Sequence, residues 1–330
     1  MDRIVVSTIG NPSDYPNKDP RSRAQLAYFV YTGLRQHFGE RVVYVNGPAD
    51  LSGNDILVAQ LLNKNLETWK RSIVLSNDNF DTDKWEKNLF TKYGMNHKTL
   101  SHPAVDKQIK GCLSAIYTSN DPAIKRWNAN DPQVLKKKKW LLNNVGNMIV
   151  TPHPIDKRFF NRLYDPNRTF EKPRMLVYHT DWLKYAKPLM VMLNKMGYKR
   201  GDDWDVVDGV DKTNETYIKK LLNRYTYLGH TSVSETGGPP YFAAEFLCQG
   251  MILYGHEEWW NGYGHPELCW TYDPKRQHHN MNSIKKIMSK EGLQLHKKYQ
   301  KEVRGRFLDR KDNEWPYYMN LLINEIEKHI

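Results

Sequence analysis

Two glutamates, Glu235 and Glu245, stand either side of a Gly-Gly-Pro-Pro turn in SETGGPPYFAAEFLCQGMILYG, residues 234–255. Carboxylates accept hydrogen bonds from hydroxyl groups and take up protons, so such a pair can bind a polyol or assist a transfer. Two readings stand side by side for this stretch. It fits an ordinary loop, helix and strand of an α/β core, and it fits the part of a site that grips a nucleotide.

Other chemistry-bearing residues gather where buried strands are expected to end. The first half of the chain offers Gly10-Asn11, Asn46-Gly47, Asn77-Asp78, Ser119-Asn120 and His153. The second half offers His179-Thr180-Asp181, Asp208-Gly209, Ser234-Glu235 and Gly255-His256. Ligands of parallel sheets bind at such ends, although loops are polar in any case.

Several familiar chemistries are excluded. No Gly-x-Gly-x-x-Gly comes after the first apolar run, where STIGNPSDYPNKDPRSR stands instead. There is no Walker A lysine, no His-Glu-x-x-His and no Gly-x-Ser-x-Gly elbow. A dinucleotide oxidoreductase, a P-loop NTPase, a zincin and an α/β-hydrolase are all disfavoured. His256, Glu257 and His265 match no standard metal spacing, His278-His279 is no better, and no metal site is expected.

These residues need a scaffold, and the hydrophobic pattern supplies one. Apolar β-rich runs at 3–10, 41–48, 55–60, 72–78, 112–120 and 147–154 alternate with helical segments such as 21–39 and a Lys-rich helix between 120 and 147. The rhythm restarts with strands at 173–181, 203–209, 225–235 and 251–255, and helices at 182–198, 214–225 and 241–250. Pro188 is expected on an irregular turn or kink. The βαβ alternation predicts an α/β protein of two Rossmann-like domains with mostly parallel sheets. Residues 1–155 form the first domain, 156–172 a linker, 173–280 the second domain, and 281–330 basic amphipathic helices, one of which crosses back to the first domain.

The chain of 330 residues is long enough for two cores, and its hydrophobic content of 39% supports them. No apolar run reaches the about 18 residues of a membrane span, and the N-terminus reads as a first strand rather than a leader. A cytoplasmic, monomeric protein without membrane contact is expected. Cys112, Cys248 and Cys269 are too few and too scattered for a disulfide framework or a zinc site, so they read as buried thiols. The net charge of +12 attracts polyanions. Basic runs at 135–140, 284–290 and 296–311 suit either a nucleic-acid-facing surface or the solvated faces of helices. The segment HEEWWNGYGHPELCW, 256–270, reads as a loop with aromatics able to stack on a base.

Residues 234–255 resemble the nucleotide-sugar-binding element of GT-B glycosyltransferases: a glutamate, a Gly/Pro turn, then a glutamate leading a helix to glycine and a buried strand. GNMIVTPHPIDKRFF, 146–160, resembles the crossing between the two domains of that superfamily. The resemblance implies a nucleotide-sugar donor, with Glu245 accepting the ribose hydroxyls. Glu235 and the backbone of Gly237 and Gly238 would lie near the transferred sugar and the diphosphate. Glu235 and Glu245 are ten positions apart, wider than the family's spacing, which a longer turn would absorb. Within the superfamily, SIVLSNDNFDTDKW, 72–85, is similar to a stretch of phage DNA glucosyltransferases. That similarity implies Asp78 as general base, with Asp81 and Asp83 as neighbouring alternatives. The phage enzymes hold the diphosphate with arginines, and HTDWLKYAK has none. Lys184 and Lys187 are the candidates there, with Arg21 and Arg23 from the first helix, and Gly10 and His179 stand at the strand ends.

The implied reaction moves a sugar from a UDP-sugar, UDP-glucose or a UDP-pentose, to a hydroxymethylated pyrimidine in double-stranded phage DNA, or to a sugar already on it. Such a product protects DNA from restriction. A divalent metal is not indicated. Two alternatives share the sequence features: a GT-B enzyme acting on a glycan, lipid or protein, and a non-catalytic basic DNA-binding protein with a degenerate nucleotide site.

Overall fold

The computed structural model describes residues 3–8, 10–15, 22–61, 63–76, 107–118, 145–151, 154–157, 163–179, 183–208, 214–230, 246–256, 270–272, 276–308, 311 and 314–330. The chain divides into two compact units, Met1–Pro154 with Trp315–Ile330, and Ile155–Glu314. Each is an all-parallel sheet with helices.

In the first unit the strands are β1 (Ile4–Ser7), β2 (Val42–Tyr44), β3 (Ile56–Gln60), β4 (Ser72–Ser76), β5 (Ser114–Thr118) and β6 (Met148–Thr151), in the spatial order β2-β1-β3-β4-β5-β6. The register sets Ile4 beside Val42 and Ile56, and Val6 beside Tyr44 and Val58. Strand side chains alternate between faces. Ile4, Val6, Val58 and Leu75 therefore pack on one face with α1 (Ser22–Phe38), while Val5, Leu57 and Val74 pack on the other. Burial on both faces explains why these strands read as unbroken apolar runs rather than alternating ones. A four-residue helix, α2 (Asn65–Thr68), comes after β3.

The second unit holds β7 (Met175–His179), β8 (Trp204–Asp208), β9 (Tyr227–His230), β10 (Ile252–His256) and β11 (Trp270–Tyr272), ordered β11-β10-β9-β7-β8. Its helices are α3 (Leu183–Lys195), α4 (Glu215–Arg224), α5 (Gln277–Ile287) and α6 (Lys290–Leu308). The three-residue β11 starts at Trp270, the last residue of the expected loop 256–270, and is too short to show a period. Asn214 caps α4 by accepting from the Tyr217 amide at 2.9 Å.

Helix α3 runs through Pro188 without a break. Proline forfeits one intrahelical bond, and Pro188 is exposed, so water can serve the carbonyl it leaves. The expected Lys-rich helix between 120 and 147, and most of the helix expected at 241–250, lie outside the described residues.

The last helix, α7 (Trp315–Glu327), belongs to the first unit. It is apolar on its buried side, and Tyr318, Leu322 and Ile326 join the same core as α1. Phe29 stacks on Trp315 at 4.5 Å and 9°. A Cβ on Gly33 would come within 2.8 Å of the Met319 methyl, so the two helices pack closely there and a larger residue would push that side chain aside. Buried Glu325 accepts from Asn147 and pairs with Lys328 at 2.6 Å, tying α7 to the start of β6.

Candidate functional site

In both units the first strand has its second on one side and its third on the other. Crossovers then leave in opposite directions, and a crevice opens at the C-terminal ends of those strands. The switch lies between β1 and β3 in the first unit and between β7 and β9 in the second.

At the first switch the chain after β1 is held from below. Ser7 and Thr8 are buried. Asn63 donates to the Ser7 hydroxyl at 2.8 Å and to its carbonyl at 3.1 Å. The Tyr44 hydroxyl donates to the carbonyls of Thr8 and Gly10. These bonds fix Gly10 at the strand end, where the sequence places it. Burial pushes the Tyr44 phenol up, so it stays a neutral donor. Asn11 then accepts from the Ser13 amide at 3.1 Å and starts a short turn over Pro12–Asp14. Arg23 lies in the first turn of α1, and its side chain is outside the described residues.

Beside it, Gln25 is fully buried, and neither its amide nitrogen nor its amide oxygen has a partner among the described residues. An unpaired buried amide costs free energy, which makes this an exception within the core.

At the second switch, β7 ends in Tyr178 and His179 and β9 ends in His230. The His230 ring lies 5.2 Å from that of Tyr178, tilted by 30°. Burial drives the His230 pKa down to about 3. The imidazole is therefore neutral at physiological pH and is suited to hydrogen bonding rather than to holding a charge. His179 pairs with Asp208 in the strand register, with its side chain outside the described residues. Helix α3 starts four positions after His179, so its N-terminal dipole end belongs to this strand end. It carries Lys184 in the first turn and Lys187, which is exposed, in the second.

The chain leaves β9 at His230 and is described again from Phe246. Glu235, Gly237, Gly238 and Glu245 lie in between, outside the described residues, as do Asp78, Asp81, Asp83, Thr180, Asp181 and Arg21. The turn just after Glu245 is firmly held. Phe246, Leu247 and Cys248 are buried, and Gly250 has φ +79°. A Cβ there would meet the Gln300 carbonyl at 3.0 Å, so both the conformation and the space require glycine. Arg168 donates to the carbonyls of Leu222 and Gln249, and His296 donates from Nε2 to the Gly250 carbonyl at 3.1 Å. Burial lowers Arg168 to about 10 and His296 to about 3. Arg168 also lies 5.5 Å over the Phe170 ring.

Sequence reasoning therefore located Gly10 and His179 at strand ends and missed His230, Tyr44, Gln25 and Arg168. His230 carried a signal, since it ends the apolar run YLGH before a polar stretch. Arg168 carried none, being one of five Lys and Arg in the segment read as a linker. Cys112 and Cys248 are buried and form no disulfide among the described residues. Among the described residues no three His, Cys, Asp or Glu side chains gather to hold a metal, and no helix is long and apolar enough to cross a membrane.

No family model and no curated protein matches the sequence. Likeness appears among solved structures. Sucrose-phosphate synthase from Thermosynechococcus elongatus is 9% identical, with a TM-score of 0.60 over 99% of this chain and 98% of its own. Anabaena HepE, solved with UDP, is 11% identical, with a TM-score of 0.53 over the full length of both. An alpha-glucosyltransferase solved with UDP-glucose and DNA containing an abasic site has a TM-score of 0.47 at 9% identity, covering 99% of both chains. The fold is that of the GT-B glycosyltransferases, with two Rossmann-like domains and C-terminal helices. The α/β expectation from the sequence is borne out, including the parallel sheets.

Proposed function

We propose that the protein is a glycosyltransferase that takes its sugar from a UDP-sugar. The observation that carries this reading is the full-length likeness to HepE, which was solved with UDP, on a chain whose residues 234–255 resemble a nucleotide-sugar element. In this reading Glu245 accepts both ribose hydroxyls. The backbone of Gly237 and Gly238, with Lys184, Lys187 and Arg23, meets the diphosphate. Gly10 and His179 line the strand ends, and Glu235 lies beside the transferred sugar. Asp78 takes the proton from the acceptor hydroxyl as its oxygen bonds to the anomeric carbon. The bond from that carbon to the diphosphate breaks, and UDP leaves.

The favoured acceptor is a hydroxymethylated pyrimidine in double-stranded DNA, supported by the +12 net charge and by the similarity of residues 72–85 to phage DNA glucosyltransferases. A base inside a duplex must leave the stack to react. A glycan, lipid or protein acceptor is the second reading, supported by the likeness to sucrose-phosphate synthase, whose product is a sugar phosphate rather than DNA.

Incubation with a panel of UDP-sugars and unmodified or hydroxymethylated DNA, followed by mass spectrometry of the nucleosides, separates the two. If no hydroxymethylated DNA gains sugar mass with any donor, the DNA acceptor is wrong. Glu245→Ala should lower UDP-sugar hydrolysis and transfer about a hundredfold, the scale of losing charge-assisted bonds to the ribose. Unchanged turnover in that variant would leave a non-catalytic DNA-binding protein as the better description.

A further inference from the structure

Helices α5 and α6 span residues 277–308 and contain eight Lys and Arg against two Glu, a net +6 out of the chain's +12. This charge is not spread evenly round α6. Lys290, Gln294, Lys297 and Lys301 are all exposed and fall on one line of the helix, because seven- and eleven-residue steps return to the same face. Gly292, His296 and Val303 face the other way and are buried. The two glutamates of α6 lie off the line, and Glu291 pairs with Lys286 of α5 at 3.0 Å. Among the described residues, Lys285, Lys290, Lys297 and Lys301 have no acidic partner.

Local electrostatics work against this arrangement. Lys297 and Lys301 are like charges one turn apart, which repel. Lys290 sits in the first turn of α6, where the helix dipole favours an anion. A face that is unfavourable in the isolated protein becomes favourable opposite a polyanion.

We propose that the exposed lysine line of α6, with Lys285 of α5, is a surface that contacts the phosphate backbone of double-stranded nucleic acid. This rests on the DNA-acceptor reading and adds to it a contact surface in the second unit. From Lys290 to Lys301 the line is about 16 Å long. A duplex presents one charge per roughly 1.7 Å of axis, so that length faces on the order of ten phosphates. A membrane surface fits less well. Interfacial helices insert an apolar face, and the large hydrophobic side chains exposed among the described residues, Val191, Tyr217, Tyr317 and Ile330, all lie outside α5 and α6.

The test compares the full chain with the triple variant K290Q/K297Q/K301Q, using fluorescence anisotropy on an unmodified duplex of about 20 base pairs across a KCl series. Each lost phosphate contact should flatten the slope of log affinity against log salt by about 0.9, so the triple variant should lose roughly 2.7. UDP-glucose hydrolysis and the circular dichroism spectrum should be unchanged, showing that fold and donor site are intact. If the parent binds the duplex and the variant binds with the same affinity and slope, the proposed surface is wrong while the DNA-acceptor reading stands. If the slope falls as expected but hydroxymethylated DNA gains no sugar, the surface stands and the acceptor reading fails. Binding to phosphatidylserine vesicles but not to duplex overturns the proposal in favour of a lipid surface.

Discussion

In the first unit β1 lies between β2 and β3, and in the second β7 lies between β8 and β9, so the two sheets wind alike. Their buried polar groups differ. The first unit buries carboxylates beside cations: Asp55 with Arg3 at 2.5 Å, and Glu325 with Lys328 at 2.6 Å. It also buries the amide of Gln25, which has no partner among the described residues. The second unit buries basic groups against backbone carbonyls in the clamp below β10, namely Arg168 and His296, while His230 is sealed at the end of β9. One winding thus tolerates two electrostatic solutions. A carboxylate–cation pair keeps its charge, whereas a histidine sealed from water gives its charge up.

Removing the clamp should have the largest effect. Arg168→Ala leaves the Leu222 and Gln249 carbonyls without their donor and empties the space against Phe170. Losing two charge-assisted hydrogen bonds to buried carbonyls should cost the second unit about 3 kcal/mol. Urea denaturation followed by hydrogen exchange, read separately for each unit, measures this. A loss shared equally by the two units would break the distinction drawn between them.

Acid sharpens the same comparison. His230 and His296 have folded pKa values of about 3 against an unfolded value of about 6.5. Their folded values are depressed, so the unfolded chain binds protons that the folded one refuses. The second unit's stability is intact above pH 6.5 and drains as pH falls towards 3, by up to about 1.4 kcal/mol per pH unit for each histidine. In the first unit Arg3 holds Asp55 below its ordinary value; burial pushes Glu325 up, yet Lys328 and Asn147 hold it low. Their contribution is present above the usual carboxylate range and is lost only below it. Between pH 6.5 and about 5 the second unit alone should weaken by these groups, by about 2–3 kcal/mol at pH 5.5. Calorimetry at pH 7.0 and 5.5 with a single unshifted transition would contradict this.

The smallest effect has the opposite sign. Gln25→Met keeps the length of the side chain and removes a buried amide whose nitrogen and oxygen have no partner among the described residues. It should stabilise the first unit by about 1 kcal/mol. A fall in the denaturation midpoint would instead mean that an internal water satisfies the amide.

The strands were readable because parallel sheets bury both faces. Ile4–Ser7, Ile56–Gln60 and Met175–His179 are apolar runs that no surface segment would carry. β11 was not readable, since three residues starting at the end of a Trp- and Gly-rich stretch show no period. Among the candidate site residues, Gly10 and His179 were readable as strand ends and His230 was marked only as the end of the apolar run YLGH, whereas nothing in the sequence distinguishes Arg168 as buried. Helix α7 illustrates the same limit. The sequence led to one C-terminal helix crossing back without singling out which, and it is α7 whose apolar face packs on α1, through Trp315, Tyr318 and Leu322.

The sequence alone determined the α/β class, the restart of the βαβ rhythm and the exclusion of the common cofactor motifs, because these are local matters of period, glycine placement and spacing. Tertiary structure decided that β8 and β9 flank β7 on opposite sides, that α7 completes the first unit, and that His230 and His296 are neutral. Each of these depends on segments far apart in the chain meeting and excluding water, and burial of that kind has no signature in neighbouring residues.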